Sequence, residues 1–232
     1  MTHAPSPLAG ISSMATRQVL AELAARCERK TGIRVAIESV GGVVAAKRIA
    51  AGERFDIAWL AADAIDRLVA GGHALADDRV DLMRSDIWVA VKAGAARPDV
   101  GSEAAVREAV RNAKTLGYST GPSGVYLGEL FERWGIADEI APRIVQAPPG
   151  VPVGALIARG EIALGFQQRS EIVGLDGVDA IGPLPAAIQK TTVFSGAVCT
   201  ASAQAEDARA LLAFMASAEN HEVMRRHGME PA

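Results

Sequence analysis

Residues Ile33–Gly72, "IRVAIESVGGVVAAKRIAAGERFDIAWLAADAIDRLVAGG", read as two strand–helix units in succession. Ile33–Val40 alternates apolar and polar residues at the period of a strand and breaks at Gly41-Gly42. A helix is expected from about Val43 to Ala51, stopped by Gly52. Asp56–Leu60 is a buried strand, and the helix over Ala62–Ala70 ends at Gly71-Gly72. Upstream, Leu8-Ala9-Gly10-Ile11 leads through Ser12-Ser13 into a helix from about Thr16 to Lys30. Its apolar stripe is Val19, Leu20, Leu23 and Cys27, and Thr31-Gly32 ends it. Three times a strand ends in small or hydroxyl residues and a helix begins. That alternation predicts an α/β domain of parallel strands, with ligands at the strands' carboxyl ends.

The pattern continues beyond Asp86–Val91, a strand expected to carry the chain into a second lobe. There the reading is a helix over Glu103–Ala113, a strand near Thr115–Ser119, the Gly121–Gly124 loop and a helix from about Val125 to Trp134. A short strand at Ile144-Val145 follows, and Pro148-Pro149-Gly150 opens a helix over Val153–Arg159. Ile162–Phe166 and Thr191–Cys199 are strands, and Ala205–Ala218 is a helix. The expected division is 1–84 with 192–232 for the first lobe and 85–191 for the second, with hinge strands near 84–90 and 186–194.

With half its residues hydrophobic and only 4% aromatic, the core must be built from Ala, Val, Ile and Leu. Twenty-four basic against 27 acidic residues, with no basic block, argue against a nucleic-acid partner. Cys27 and Cys199 lack metal-ligand spacing and read as buried free thiols; the four histidines are scattered, so no metal is expected. The glycine-rich stretches fail the phosphate-loop and dinucleotide patterns, and no nucleophile elbow can be assembled, so no cofactor is expected. No leader-like or membrane-spanning run is present, which predicts a cytoplasmic protein without membrane insertion, or a periplasmic one if a leader precedes these residues.

The chemistry is expected at the helix starts. In "GYSTGPSGVYLGELFERWG", Gly117–Gly135, the hydroxyls of Ser119, Thr120 and Ser123 surround Gly121-Pro122 just ahead of a helix. Amides at a helix start have no intrahelical partner, so such a loop is either a capped turn or an anion cradle. Ser12-Ser13 repeats the arrangement in the first half, and Gly41-Gly42 would let an anion approach the backbone. Lys47 and Arg84 are the cations placed to pair with a carboxylate. Tyr126 either packs or donates a proton, while Trp59 and Trp88 read as core.

The order of these motifs resembles a type II periplasmic binding protein, the molybdate-binding branch in particular. The segments that carry the resemblance are "GISSMATRQVLAELAARCERKTG", "AAKRIAAGERFDIAWLAADAIDRLVAGG", "STGPSGVYLGELFERWG" and "PPGVPVGALIARGEIALGFQQRSEI". It implies two α/β lobes with a small oxyanion held in the cleft by hydroxyls and amides at loop–helix junctions. The matching positions are Ser12-Ser13, Gly41-Gly42 where the family has a serine pair, Ser123-Gly124-Val125, Val153, and Gln168 where the family has a tyrosine. These two departures suit a carboxylate, to which Gln167 and Gln168 would donate amide hydrogens. A closer likeness is to leaderless relatives similar to aconitate isomerase, which share "STGPSG", "PPGVPVG" and "GFQQ". There an aspartate follows "GGV"; here Val44 stands in its place.

Two functions follow from this reading. The first is an isomerase that shifts a proton and a double bond in a small unsaturated carboxylate, with Ser13, Tyr126, Lys47 and Gln168 as candidates for the proton step. The alternative is a non-catalytic solute-binding protein, serving an ABC permease or acting as a cytoplasmic sensor.

Overall fold

The computed structural model describes residues 6–147 and 151–232. The Pro148-Pro149-Gly150 turn and His3 lie outside the described residues. The chain divides into two compact units, one running to Arg84 and resuming at Val193–Ala232, the other Ser85–Thr192.

In the first unit β1 (Leu8–Ser13) enters a 3-10 turn (Met14–Thr16) and α1 (Arg17–Thr31). Next come β2 (Val35–Val40) with α2 (Gly42–Ala50), β3 (Ile57–Ala61) with α3 (Ala62–Ala70), and β4 (Val80–Ser85). The second unit comprises β5 (Ile87–Lys92), α4 (Glu103–Asn112), β6 (Leu116–Tyr118), α5 (Pro122–Arg133), α6 (Ala137–Ile140), α7 (Val153–Arg159), β7 (Leu164–Gln168) and β8 (Val178–Pro183). The chain then returns as β9 (Thr192–Val198), α8 (Ala205–Ala216), α9 (His221–Arg226) and β10 (Glu230–Pro231).

The sheet orders are β10-β4-β9-β3-β1-β2 and β6-β7-β5-β8. β2-β1-β3 and β6-β7 pair in parallel; β9 runs against β3, and β5 runs against both β7 and β8. The sheets are therefore mixed, where the sequence predicted parallel strands. A parallel partner needs a crossover returning to the same end of the sheet, whereas β5 and β9 enter from the other unit.

Other corrections have local causes. β8 (VDAIGP), absent from the sequence reading, is an edge strand, a position where Gly182 and Pro183 are tolerated. β7 lies two residues later than expected because Gln167 and Gln168, polar in the sequence, are buried on it. α5 starts three residues early, at Pro122, whose fixed φ suits a first helical position. Ile144 makes only an isolated bridge to Leu116.

Strand alternation divides the first unit's core. Ile57 and Trp59 pack with Val19, Leu20, Leu23 and Cys27 of α1 and Leu211, Leu212 and Met215 of α8. Ala58 and Leu60 pack on the opposite side with Ala45 and Ile49 of α2 and Ile65 and Leu68 of α3. Both cysteines are buried free thiols. Trp59 fits only because glycines flank it: a Cβ at Gly10 would lie 2.6 Å from its ring, and one at Gly196 3.0 Å from the ring and 2.4 Å from Leu212. Asp56, buried at the head of β3, accepts the Ala9 amide (2.8 Å) and the Ser202 hydroxyl (2.7 Å). In the second unit Ile87, Val89 and Val91 pack with α4 and α5, and Phe131 lies edge-on to Phe166.

Gly196→Ala is expected to destabilise the chain by about 1–3 kcal/mol through overpacking against Trp59 and Leu212. Gly128→Ala, within α5 and with no atom within 4 Å of the added methyl, should stabilise it by roughly 0.5–1 kcal/mol. Urea unfolding midpoints of the two variants should move in opposite directions.

Candidate functional site

The parallel strands of the first unit end together. Ser13 of β1 stands beside Val40 of β2, and Ser12 beside Trp59 of β3. The 3-10 turn before α1 and the starts of α2 and α3 therefore gather at one sheet edge.

Ser12 is fully buried, with its hydroxyl 2.8 Å from that of Ser39; it ties β1 to β2. Ser13 makes no side-chain cap bond, so of the two alternatives the capped turn is not formed there; its hydroxyl is 3.4 Å from that of Thr16. Gly41 (φ −57°, ψ 132°) precedes α2, and Gly42 opens it. Neither has positive φ, so backbone geometry does not require glycine there. A Cβ on Gly41 would meet only a Val44 methyl at 3.9 Å, and one on Gly42 would lie 3.6 Å from Ser13 Cβ, so the two loops adjoin over open backbone. Val43 and Val44, 53% and 51% exposed, stand beside this opening. Lys47 is exposed one turn further along α2, and Arg84 is exposed on β4 opposite Glu230.

In the second unit the Ser119 and Ser123 hydroxyls are 3.1 Å apart, and the Gly121 amide donates to Ser119 Oγ at 3.3 Å. Gly124 is required by close approach: a Cβ would lie 1.5 Å from the Ser119 carbonyl oxygen. The Gly124 and Val125 amides both donate to Gly121 O, at 3.0 and 3.1 Å, so they close the first turn and are not aimed outward as a cradle. Pro122 has no amide hydrogen, which makes Ser123 the first residue of α5 able to offer one. Val125 is 60% exposed. Tyr126 donates its phenol hydrogen to Ile188 O at 2.8 Å, and Arg133 lies over its ring. That bond engages the proton expected to serve catalysis and makes Tyr126 a packing tie.

Val153 is buried at the start of α7, and the next amide, Gly154, donates to Gln167 Oε1 at 3.1 Å. Gln168 donates Nε2 to Thr192 Oγ1 at 2.9 Å, and its Oε1 is buried without a partner. Gln167 thus offers its amide oxygen to the start of α7, and Gln168 has one amide hydrogen engaged and a buried free acceptor. The Ser85 and Ser170 hydroxyls are likewise buried without partners.

Glu171 was missed by the sequence reading. It sits in the 3-10 turn Arg169–Glu171 after β7. The residue as a whole is only half-buried, but desolvation of its carboxyl pushes it up to about 7, against the lowering effect of Gln167. Within "QQRSEI" nothing distinguishes it from a solvated loop carboxylate, because that environment comes from α7. Among the described residues no cluster of three His, Cys, Asp or Glu could hold a metal. No helix there is long and apolar enough to cross a membrane. A surface groove beside α1 and β2, lined by Arg17, Ala21, Val35, Ile37 and Ser39, lies along the helix flank and not at the strand ends.

Residues 8–230 match the model of the bacterial extracellular solute-binding protein family. The chain belongs to that family. It is 37% identical over 227 residues to aconitate isomerase of a Pseudomonas species, covering 95% of this chain and 86% of that protein. Among solved structures, the periplasmic molybdate-binding protein of Azotobacter vinelandii superposes with a TM-score of 0.80 at 19% identity, over 96% of this chain and 98% of that one. The substrate-binding domain of a putative molybdenum ABC transporter from Clostridium difficile gives 0.74 at 15% identity, over 97% and 99%. The two-unit α/β fold expected from the sequence is thus that of the family.

Glu171 predicts an unusual stability profile. Its carboxyl is raised above the ordinary 4.5, so the folded chain holds a proton up to about pH 7 that the unfolded chain has already lost. This contribution to stability is complete below about 4.5 and disappears as pH rises through about 7. Glu171→Gln should leave Tm nearly unchanged at the acid end and raise it by about 2–4 °C above pH 8. An equal shift at both ends in thermal denaturation would contradict the burial.

Proposed function

We propose that this chain binds a small unsaturated carboxylate at its helix-start loops and isomerises it by moving a proton and a double bond. The observation that carries this reading is the 37% identity to aconitate isomerase across 95% of the chain. The loop chemistry supports it. In the first unit the Ser13 hydroxyl and the open backbone at Gly41-Gly42, and in the second the Ser123 hydroxyl, each suit an anion held by dipoles, without a dedicated counter-charge. Val43, Val44 and Val125 are the large hydrophobics exposed among the described residues, and all three lie in the first turns of α2 and α5. Apolar surface beside polar donors fits a ligand with a carbon skeleton better than a bare inorganic oxyanion.

In this reading the loop donors also stabilise the enolate-like charge that develops when a proton leaves carbon next to a carboxylate. A second reading, a solute-binding protein delivering a small anion to an ABC permease, is favoured by the molybdate-binding structural relatives.

Proton NMR of the purified protein with cis-aconitate, trans-aconitate and related unsaturated di- and tricarboxylates separates the two. New vinyl or methylene signals, absent from a boiled control, are expected. Line broadening without new signals would transfer the chain to the binding-protein reading. Ser123→Ala should weaken carboxylate binding by roughly 10–100-fold in calorimetry, the loss of one or two bonds to a charged group.

A further inference from the structure

β2 closes the first unit's sheet: it pairs with β1 on one side, and among the described residues no strand lies on the other. The Leu8 amide donates to Arg34 O at 2.8 Å, so by strand alternation the backbone groups of Arg34, Ala36 and Glu38 turn toward β1. Those of Val35, Ile37 and Ser39 point out of the sheet, and an uncovered row of this kind is a template for another strand. The devices that commonly blunt an edge are absent from VAIESV. It has no proline, no lysine and no register shift in its pairing with β1.

The side chains divide by face. Val35, Ile37 and Ser39 are half-buried on the α1 side, where they line a groove with Ala21, Ala24 and Ala25 of α1. α1 runs back against β2, because it returns the chain to the start of a parallel strand. Arg17 therefore stands at the Ser39 end of the groove and Glu28 at the Val35 end, both exposed. On the opposite face Arg34, Ala36 and Glu38 are exposed, and Glu38 accepts from two Arg48 nitrogens at 2.6 and 2.8 Å. Each face thus carries one cation and one anion, set at opposite ends of the strand.

We propose that the β2 edge docks a second copy of this chain, the two strands pairing antiparallel about a two-fold axis at Ala36. In that register the outward backbone groups of Val35 meet those of Ile37 in the second copy. Arg34 stands opposite Glu38 of the second copy, and symmetry repeats the pair. The same axis lays α1 antiparallel beside its own copy, with Arg17 toward Glu28 of the second copy at each end. Ala21, Ala24 and Ala25 leave room for the helices to approach. Centring the pairing on Arg34 or on Glu38 would set like charges face to face, and centring it on Val35 or Ile37 leaves Arg34 and Glu38 unmatched. The charges therefore select one register, and they complement themselves on both faces of the sheet. A second copy supplies that match without any other sequence being specified.

Sedimentation velocity of the full chain between about 1 and 100 μM tests the pairing, and a concentration-dependent dimer is expected. Arg34→Glu and Glu38→Arg each set like charges against one another across the axis and should weaken the dimer at least roughly tenfold. An equal mixture of the two variants should dimerise again, because each then meets the charge it lacks in its own copy. Arg34→Glu combined with Glu38→Arg in one chain should also dimerise, since unlike charges still face each other. Wild type that stays monomeric across the range overturns the proposal and leaves the edge to a strand of another protein. A dimer indifferent to both single variants lies elsewhere on the surface and overturns it as well, as does a mixture that stays monomeric. If the variants fail to fold, hydrogen exchange of the wild type decides. The Val35 and Ile37 amides should gain protection as concentration rises, and unchanged exchange there would sink the idea.

Discussion

The candidate site in the first unit depends on the parallel pairing of β1 with β2 and β3, held in register from Leu8 to Ser13. A slip of one residue would turn every side chain to the other face and bring the helix starts out of line. The register is locked from inside by Trp59, which fits only where Gly10 and Gly196 remove a Cβ from the flanking strands. It is locked at the end by the Ser12–Ser39 hydroxyl pair. Ser13 and the backbone at Gly41-Gly42 are placed side by side as a result.

The second unit reaches a similar end by a different constraint. α5 starts so close to the exit of β6 that no residue but glycine fits at 124, and the first-turn amides close onto Gly121 O. Hydroxyls of Ser119 and Ser123, not an amide cradle, are what this turn presents. Around β7 the two glutamines divide their work by strand alternation. Gln167 accepts from the Gly154 amide at the start of α7, and Gln168 is tied to Thr192 on the other face.

Much of this was legible in the sequence because it is periodic. The boundaries of α3 and α7 and the strand–helix order follow from apolar spacing and from glycines past the helix ends. What was illegible depends on neighbours distant in sequence. The antiparallel courses of β5 and β9 reflect passage between units, and β8 is an edge strand hidden by Gly182 and Pro183. Among the site residues, the hydroxyl loops could be named from their residue types. The engagement of Tyr126 with Ile188, and the desolvation that raises the Glu171 carboxyl, arise from packing that no local spacing encodes.

The central claim is that the helix-start loops are where a small carboxylate binds. Nitrogen–proton correlation spectra of labelled protein, titrated with trans-aconitate, test it most directly. The account predicts saturable shifts of the Ser13, Gly42 and Ser123 amides. Shifts confined to other regions, such as the flank of α1 and β2 around Ala21 and Ile37, with those three amides unmoved, would contradict it.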